Sequence, residues 1–565
     1  MKAEALLALY ERVADAPDAI ARLRRFVLDL AVRGKLVEQD AGDEPATNAL
    51  ARVRAARESV PPTARKSAPK QVGDLISNLG FELPASWLQV PLSELVRVLN
   101  GRAYKRTELL DQGKTRVLRV GNLFTSDHWY FSDLDLEADK YCGPGDLIYA
   151  WSASFGPFIW TGPRVIYHYH IWKLDLFSEA DTCKPFLHFY LQQKTREIKE
   201  SGHGISMVHM TKEKMERLAV PLPPLAEQHR IVAKVDELMA LLARLDAARN
   251  AREATRDRLT TASLTRLTAP DTDPETLRTH ARFALDALPA LTTRADQIKQ
   301  LRQTILNLAV RGKLLEQNPS DESASALIER VGALPDPARY SKRSPELVPG
   351  DCGLCINQPA LPVPGGWSWV PLVRIARIES GHTPSRNRPD WWNGDIPWIG
   401  LVDARIHNNG KIFETIQHTN EHGLANSAAR LLPAGTVCFS RTASVGYVVV
   451  MGRPMATSQD FVNWVPTKSL SSEWLQLVMI AERPAIPRFS KGAVHQTIYY
   501  PAWLSMHIAL PPLAEQHRIV AKVDELMALC DRLEAALQSA DTTRARLLEA
   551  LLHEALSNPE TELAA

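Results

Sequence analysis

The segment Leu222–Leu241 reads LPPLAEQHRIVAKVDELMAL, and the segment Leu510–Leu529 repeats it letter for letter. A second string, LAVRGKL, occurs earlier in each half of the chain, at Leu30–Leu36 and at Leu308–Leu314. The copies lie about half a chain apart, far beyond the roughly 20–50 residues of a solenoid repeat. The chain is therefore a tandem duplication, and each half has the order helix, divergent block, helix.

Both repeated strings have the apolar spacing of helices. The longer string continues as a heptad seam, which suits one long partner helix. It predicts a central helix from about Ala226 to Thr265, roughly 60 Å long at 1.5 Å per residue. In the shorter string, Gly34 and Gly312 suit the left-handed residue that ends a helix. The seam positions are Ile231, Val235, Leu238, Leu242 and Leu245 in the first copy, and Ile519, Val523, Leu526, Cys530, Leu533 and Leu537 in the second.

The identity of the two long strings needs its own explanation. Cores tolerate hydrophobic exchanges of similar volume, so packing alone does not require 20 identical residues with many polar side chains. We therefore expect both copies to dock the same partner. Two alternatives stay open, namely that the helices serve only as core and that a recent duplication left them identical. The candidate docking residues are Glu227, Gln228, Arg230, Lys234, Glu515, Gln516, Arg518 and Lys522.

Two divergent blocks, Pro84–Val220 and Pro362–Ile508, lie between the helices. Short β-branched runs such as Val117–Val120 and Val445–Val450 alternate with Gly and Pro, which is typical of strand-rich α/β domains. A faint skeleton is common to both blocks, which indicates one fold with two different surfaces. Its matching residues are Trp87 and Trp367, and Gly145 and Gly435.

Composition and missing motifs narrow the class of protein. A chain of 565 residues requires several domains, and its formal net charge of +2 is far from that of a dedicated nucleic-acid binder. Six scattered cysteines predict a reducing cytoplasm. The sequence has no run of about 18 apolar residues, so we expect no membrane span. Neither a phosphate-binding loop nor an adenine-methyltransferase tetrapeptide occurs, and Cys352 and Cys355 are too few for structural zinc. We expect no catalytic site and no metal site.

Some polar clusters of the two blocks are candidates for reading DNA. Arg and Lys recognise guanine, and Asn and Gln recognise adenine, in the major groove. For each single residue, a solvated loop side chain remains the alternative. The candidates are Lys105, Arg106, Arg119, Asn122, His168 and His170 in the first block, and Arg386, Asn387, Arg388, Gln459, Lys491, His495 and Gln496 in the second.

The repeated strings resemble the recurring helical regions of type I restriction–modification specificity (S) subunits. In the second block, SGHTPS at Ser380–Ser385 and WWNGDIPW at Trp391–Trp398 resemble the opening of their target-recognition domains, of which the first block keeps only Gly101. The resemblance implies an α/β (α+β) fold, in which long antiparallel helices separate two strand-rich target-recognition domains in a pseudo-twofold tandem duplication. The expected regions are an N-terminal helical region 1–40, a linker with a short helix 41–83, target-recognition domain 1 at 84–220, a central long helix plus return helix at 221–314, a linker 315–361, target-recognition domain 2 at 362–508 and a C-terminal long helix 509–565.

The same resemblance implies the function. Such a subunit is not an enzyme; each target-recognition domain reads one half of an asymmetric, two-part site in double-stranded DNA. The repeated helices set the spacing and dock two methyltransferase subunits, and restriction–translocase subunits join the complex. This chain then needs no cofactor, because S-adenosylmethionine, ATP and Mg²⁺ belong to the partner subunits. The other hypotheses are a recognition subunit of a fused methyltransferase–nuclease, a coiled-coil scaffold without a DNA role, and an enzyme with an unrecognised site.

Overall fold

The structure is a computed structural model, and its backbone forms two compact units. Unit one is Met1–Ala251 with Ala540–Ala565, and unit two is Arg252–Ser539. Among the described helices, none has both the length and the apolar composition that crossing a membrane requires. The structure describes residues 7–8, 10–11, 13–14, 16–60, 79–152, 155–201, 210–269, 273–337, 342–350, 353–357, 359, 361–491 and 496–557.

The helices alternate with strand-rich regions along the chain. In the described residues they are α1 (Ala19–Val32), α2 (Ala46–Ser59), α3 (Leu92–Leu95), α4 (Val120–Phe124), α5 (Lys184–Ser201), α6 (Lys212–Glu216), α7 (Leu225–Thr268), α8 (Pro274–Leu291), α9 (Ala295–Val310), α10 (Ala324–Val331), α11 (Leu401–Ile406), α12 (Glu421–Ala425), α13 (Ser472–Glu482), α14 (Tyr500–Leu504) and α15 (Leu513–Ser557). The two long helices, α7 and α15, begin inside the repeated strings and cross the boundary between the units.

The strands of unit one form three small sheets, with the strand orders β2-β9-β6-β7, β4-β3-β8-β5 and β1-β10. Among the described strands of this unit, only β3 and β8 pair in parallel. The strands are β1 (Leu88–Pro91), β2 (Val96–Asn100), β3 (Thr115–Leu118), β4 (Tyr130–Ser132), β5 (Tyr141–Cys142), β6 (Leu147–Ala150), β7 (Gly156–Ile159), β8 (Val165–Tyr167), β9 (Ile171–Leu176) and β10 (Ala219–Leu222).

Unit two repeats this plan with the strand orders β13-β20-β17-β18-β15, β16-β14-β19 and β11-β21-β12. Its strands are β11 (Leu354–Ile356), β12 (Ser368–Pro371), β13 (Ala376–Ser380), β14 (Trp392–Ile399), β15 (Lys411–Ile412), β16 (Gln417–Thr419), β17 (Val437–Ser440), β18 (Val448–Met451), β19 (Ala456–Thr457), β20 (Phe461–Pro466) and β21 (Met506–Leu510). The parallel pair β14·β19 corresponds to β3·β8, and β13·β20 corresponds to β2·β9. The mixed fold of two strand-rich regions with a long helix between them is confirmed.

The two strand runs predicted from sequence are shorter than expected. Strand β3 ends at Leu118, because Arg119 and Val120 begin α4 instead. Strand β18 begins only at Val448, after Gly446, whose φ of 110° interrupts the run. In both blocks the glycine of the shared skeleton forms the turn before a central strand, with φ of 89° at Gly145 and 83° at Gly435.

The heptad seam of each long helix is buried, but its main partner is a short helix. In unit one, α1 packs on the seam of α7, and Lys35 at the end of LAVRGKL donates to the carbonyl of Leu556 near the end of α15. In unit two, α9 packs on α15 in the same way. Both short helices end as predicted, with φ of 70° at Gly34 and 66° at Gly312. The expected single long partner helix is therefore wrong for the first half of each seam.

Candidate nucleic-acid interface

A buried glutamate joins the two repeated strings of each half. In unit one, Glu227 accepts a hydrogen bond from the Trp87 indole (Nε1–Oε2, 3.0 Å) and one from the Gln39 amide (Nε2–Oε1, 2.6 Å). Gln39 follows LAVRGKL, and Trp87 lies at the start of the first divergent block. Burial raises the pKa of the Glu227 carboxyl above its ordinary value, against the effect of these two donors. The network therefore fixes the domain to both helices.

The second half repeats this network. Glu515 accepts from the Trp367 indole at 3.0 Å and from the Gln317 amide at 2.8 Å, and burial again raises the pKa of the glutamate. Because the two networks match residue for residue, much of the identity between the repeated strings has an internal structural cause.

The neighbouring glutamine also serves the interior of each half. Gln228 accepts the backbone N–H of Cys183 (3.0 Å) and donates to the carbonyl of Pro223 (2.9 Å). Gln516 makes the equivalent bonds with Ser471 and Pro511, at 2.8 and 3.0 Å. The predicted docking role of four side chains is therefore wrong, because these side chains are buried against their own chain. They are Glu227, Gln228, Glu515 and Gln516.

The four other docking candidates keep partly exposed positions. Arg230 forms a two-pronged ion pair with Asp43 (2.7 and 2.9 Å), and Arg518 pairs with Asp321 in the same way. Lys234 and Lys522 each pair with the glutamate three residues later on their own helix, at 2.8 and 2.9 Å. These ion pairs are the same in both halves.

The same close contact of one glycine shapes the loops of both domains. A Cβ on Gly101 would collide with the carbonyl of His168, and one on Gly381 would collide with the carbonyl of Ser458. In each domain the next residue donates its N–H to the neighbouring strand, from Arg102 to Tyr167 (3.1 Å) and from His382 to Thr457 (2.9 Å). Gly101 is the one residue that the first block shares with the SGHTPS string of the second block. The close backbone contact explains why this position is a glycine in both blocks.

Two further loops meet this glycine loop in each domain. In the first domain, the N–H of Trp151 donates to the carbonyl of His170 (3.0 Å), and its indole donates to the carbonyl of Tyr169 (2.8 Å). In the second, the N–H of Arg441 donates to the carbonyl of Asp460 (2.8 Å), and its guanidinium donates to the carbonyl of Gln459 (3.0 Å). We call these three loops the rim. The rim comprises Arg102, Trp151 and His168–His170 in the first domain, and His382, Arg441 and Ser458–Asp460 in the second.

The first rim is aromatic and uncharged over much of its surface. His168 and His170 have ring centroids 4.8 Å apart, and Trp151 meets His170 edge to face at 5.2 Å. Burial, with smaller contributions from the neighbouring His170 and Arg119, lowers the pKa of His168 to about 4. The pKa of His170 is also lowered, mainly by burial. Near neutral pH this predicted pair is therefore neutral, and the positive charge beside it comes from Arg119.

Lys105 and Arg106 directly follow Tyr104, whose ring stacks on that of His168 in the first rim, with the ring centroids 6.3 Å apart. Both side chains are exposed. Asn122 has a different place: its carboxamide accepts the N–H of Arg119 (3.1 Å) and donates to the carbonyl of His128 (2.7 Å). It therefore caps the start of α4, and its amide is engaged within the chain.

The second domain brings Arg386 close to its rim. The guanidinium lies 4.1 Å from the Trp392 ring and 5.0 Å from the Trp398 ring, and the Trp398 indole donates to the carbonyl of His382 (3.1 Å). Arg388 is held by both carboxylate oxygens of Asp390, at 2.7 and 2.9 Å, which neutralises much of its charge. Asn387 is exposed between the two arginines.

The remaining candidates converge on the same rim. Gln459 is exposed at the tip of its loop and accepts a hydrogen bond from the Thr383 hydroxyl (2.5 Å). Lys491 pairs through its backbone with Thr497, which in turn contacts Thr442, the residue after Arg441. Gln496 is exposed beside this strand pair, and His495 lies outside the described residues.

Sequence reasoning missed Arg441 and Trp151. Each is the first residue after a central strand, β17 or β6, and no local motif marks either one. The usable signal is their equivalence in the duplicated blocks, together with Gly145 and Gly435 upstream. Of the two cysteines that sequence analysis judged too few for structural zinc, Cys355 is buried in β11 and Cys352 lies outside the described residues.

Comparison with known proteins places this chain in one family. The family model described as type I restriction modification DNA specificity domain matches residues 84–252 and 364–540, more than half of the chain. The specificity subunit of the type I restriction enzyme EcoAI from Escherichia coli is 23% identical over 95% of this chain and 94% of its own length. The specificity subunit of EcoEI from the same species is 25% identical over the same shares. The crystal structure of the HsdS subunit from Thermoanaerobacter tengcongensis covers 85% of this chain and 98% of its own, at 18% identity and a TM-score of 0.43. The chain therefore belongs to the type I restriction–modification DNA specificity family.

Proposed function

We propose that this specificity subunit reads a two-part DNA site without catalysing a reaction itself, with one half of the site recognised by each rim. The observation that carries the proposal is the pair of rims. The hydrogen bonds that join the three loops, as described above, recur in both rims, whereas the side chains at the equivalent positions differ. A constant scaffold with exchanged exposed side chains suits two readers of different sequences, because base edges are distinguished by side-chain donors and acceptors.

The charge of the rims supports contact with DNA. Arg119, Lys105 and Arg106 lie near the first rim, and Arg386 lies near the second, where Lys491 is paired with Glu346 at 2.5 Å. Basic side chains of this kind position a protein on the phosphates, while the rim side chains supply the sequence-dependent contacts. The low net charge of the whole chain fits a subunit that shares its DNA affinity with partner subunits.

The repeated helices also offer a surface for a protein partner. One face of each carries exposed residues with the 3,4 spacing of a single helical stripe, and these residues are identical in both copies. Burial in the core does not explain their identity because they are exposed, although Glu237 and Glu525 pair with Lys234 and Lys522 on their own helices. The alanines of the stripe allow another helix to approach closely. The stripe residues are Ala226, His229, Ala233, Asp236, Glu237 and Ala240 in α7, and Ala514, His517, Ala521, Asp524, Glu525 and Ala528 in α15. We assign this docking stripe to the methyltransferase subunit, one copy for each helix.

The docking stripe predicts the stoichiometry of the complex. We expect Ala233→Arg and Ala521→Arg each to remove one of two bound methyltransferase subunits, and the double variant to remove both. An unpaired arginine at the centre of a closed helix contact costs roughly 3–5 kcal/mol, which abolishes binding at micromolar concentrations. Native mass spectrometry of the mixed subunits counts the bound copies.

Matched controls lie on the same helices beyond the repeated strings. Ala248→Arg and Ala536→Arg introduce the same charge at exposed alanines on a different face of each helix and should leave two copies bound. Full binding by the double stripe variant would contradict the docking assignment. Loss of both copies in either single variant would contradict the one-for-each-helix stoichiometry.

Partner subunits supply the chemistry in this proposal. Methyl transfer, translocation and cleavage then use S-adenosylmethionine, ATP and Mg²⁺ bound to methyltransferase and restriction–translocase subunits. The cytoplasmic location expected from the sequence stays a prediction.

A methylome tests the proposed function directly. Single-molecule sequencing of the host genome, with this gene intact and with it disrupted, should show the loss of one asymmetric two-part methyladenine motif. Complementation with the intact gene should restore the motif, and complementation with the double stripe variant should not. If methylation is unchanged by disruption in a host whose methyltransferase subunit is present and active, the proposal is wrong.

A further inference from the structure

The second rim holds an arginine and a glutamine side by side at its outermost loops. A guanidinium nitrogen of Arg441 lies 3.0 Å from the backbone carbonyl of Gln459. At the equivalent positions of the first rim stand Trp151 and Tyr169, which make the same contact through the indole N–H at 2.8 Å. One pair of positions therefore presents strong hydrogen-bond donors in one domain and aromatic rings in the other.

The backbone holds Gln459 in a defined place. The N–H of Ser458 donates to the carbonyl of Ile399 (3.0 Å), and the N–H of Asp460 donates to the Ser458 hydroxyl (3.2 Å). The Thr383 hydroxyl donates to the amide oxygen Oε1 of Gln459. Within the described part of the chain, no residue accepts a hydrogen bond from the amide nitrogen Nε2. The hydrogen bond to its oxygen holds this side chain on the rim, and its free NH₂ can donate to a ligand.

Arg441 is also positioned before any ligand binds. Its guanidinium stacks on the Tyr500 ring at 4.9 Å, and the bond to Gln459 fixes one terminal nitrogen. No carboxylate within the described residues forms an ion pair with it. This differs from Arg388, which Asp390 neutralises. A planar guanidinium held in this way loses little conformational freedom on binding.

Two adjacent donors match one base edge in the major groove. Guanine presents two acceptors there, O6 and N7, whereas adenine presents one acceptor and one donor. We propose that Arg441 and Gln459 together read a guanine in the half-site of the second target-recognition domain. Trp151 and Tyr169 then give the first domain a different preference at the equivalent place. The inference rests on the proposed function and names the residues that carry out its sequence reading in one domain.

The test compares methylomes of strains that carry the complete complex with single substitutions in this chain. We expect Gln459→Ala and Arg441→Ala to make one guanine of the second half-site degenerate, with the preference for guanine falling about tenfold or more. The first half-site should stay unchanged. Arg441→Lys keeps the charge but not the planar pair of donors, and should relax the same position to a smaller extent. Tyr169→Gln is the reciprocal variant and should alter only the first half-site.

Arg453→Ala is the matched control, because this exposed arginine precedes β19, at the opposite end of that strand from Ser458, and pairs with Glu414. It should leave the motif unchanged. Because Arg441 is half-buried, its alanine variant can lose methylation through misfolding. In that case the exposed Gln459→Ala and the conservative Arg441→Lys variants test the inference. An unaltered motif in both of these overturns the inference, as does a second half-site without guanine. A wild-type strain with no two-part motif would instead contradict the proposed function itself.

Discussion

Exchange of the second target-recognition domain for that of another family member is expected to replace one half of the methylated site completely and to leave the other half intact. Each mismatched base pair costs roughly 1–3 kcal/mol, and the costs add for separate positions. A half-site of several bases that no longer matches its reader is therefore not methylated. The methylome of a strain with the chimeric chain gives both halves at once.

The structure defines where the exchange should be cut. The interval 362–508 divides β21, which pairs with β11 and β12. Exchange of 372–504 keeps this three-stranded sheet and the hydrogen bond between Trp367 and Glu515. It still transfers the two sheets that carry the second rim.

The duplication supplies the matched control for this exchange. The corresponding segment of the first domain, 92–218, lies between β1 and β10, which pair with each other. Its exchange should replace the opposite half of the motif. If either chimera changes both halves while methylation is retained, the two domains do not read independently, and the division of labour proposed here is wrong.

The repeated strings show how much of this structure the sequence predicts. Apolar spacing correctly predicts the long helices and the short helices that end at Gly34 and Gly312, and the repeated strings correctly predict that the two halves share one plan. The docking assignment of Glu227 and Gln228 is wrong, and the same apolar spacing explains why. These residues precede Ile231 by four and three positions, so they extend the buried seam by one turn. A polar residue on a buried helical stripe indicates an internal hydrogen bond. Identical surface residues such as Ala233 are therefore better evidence for a docking partner.

The rims mark the limit of local reasoning. Gln459 is predicted because an exposed amide stands beside a strand-like run, whereas Arg441 follows a buried strand with no signal of its own. Their proximity depends on the pairing of β17 with β20, which joins residues far apart in sequence. Helices α8 and α10 were also missed; α10 is only eight residues long, and α8 lies between the two helices predicted for the central region. Such features follow from tertiary pairing rather than from local periodicity.

Lengthening both long helices is expected to widen the unread gap between the two half-sites. Unit one contains the first part of α7 and the end of α15, and unit two contains the first part of α15 and the end of α7. Both helices therefore connect the units. Four additional residues in each add about 6 Å along the helix axis. At roughly 3.4 Å per base pair, the gap should grow by one or two base pairs.

The insertion sites follow from the burial of the helices. An insertion after Leu242 would lie within the buried seam and would displace Asp246 from Arg24, with which it pairs at 3.2 Å. Insertion between Ala251 and Arg252 in α7, and between Ser539 and Ala540 in α15, falls at the boundary between the units and spares both seams. The methylome of the double-insertion strain measures the gap in base pairs.

Two controls separate a ruler from a general disturbance. The same four residues inserted after Gly332, where α10 ends and no atom lies near the position of a Cβ, should leave the gap unchanged. Insertion into α7 alone lengthens one of two connecting helices and should abolish methylation, since the seams of both units cannot then be kept. A double insertion that still methylates with the original gap would show that the helices do not set the spacing. The distance between the half-sites would then depend on the partner subunits.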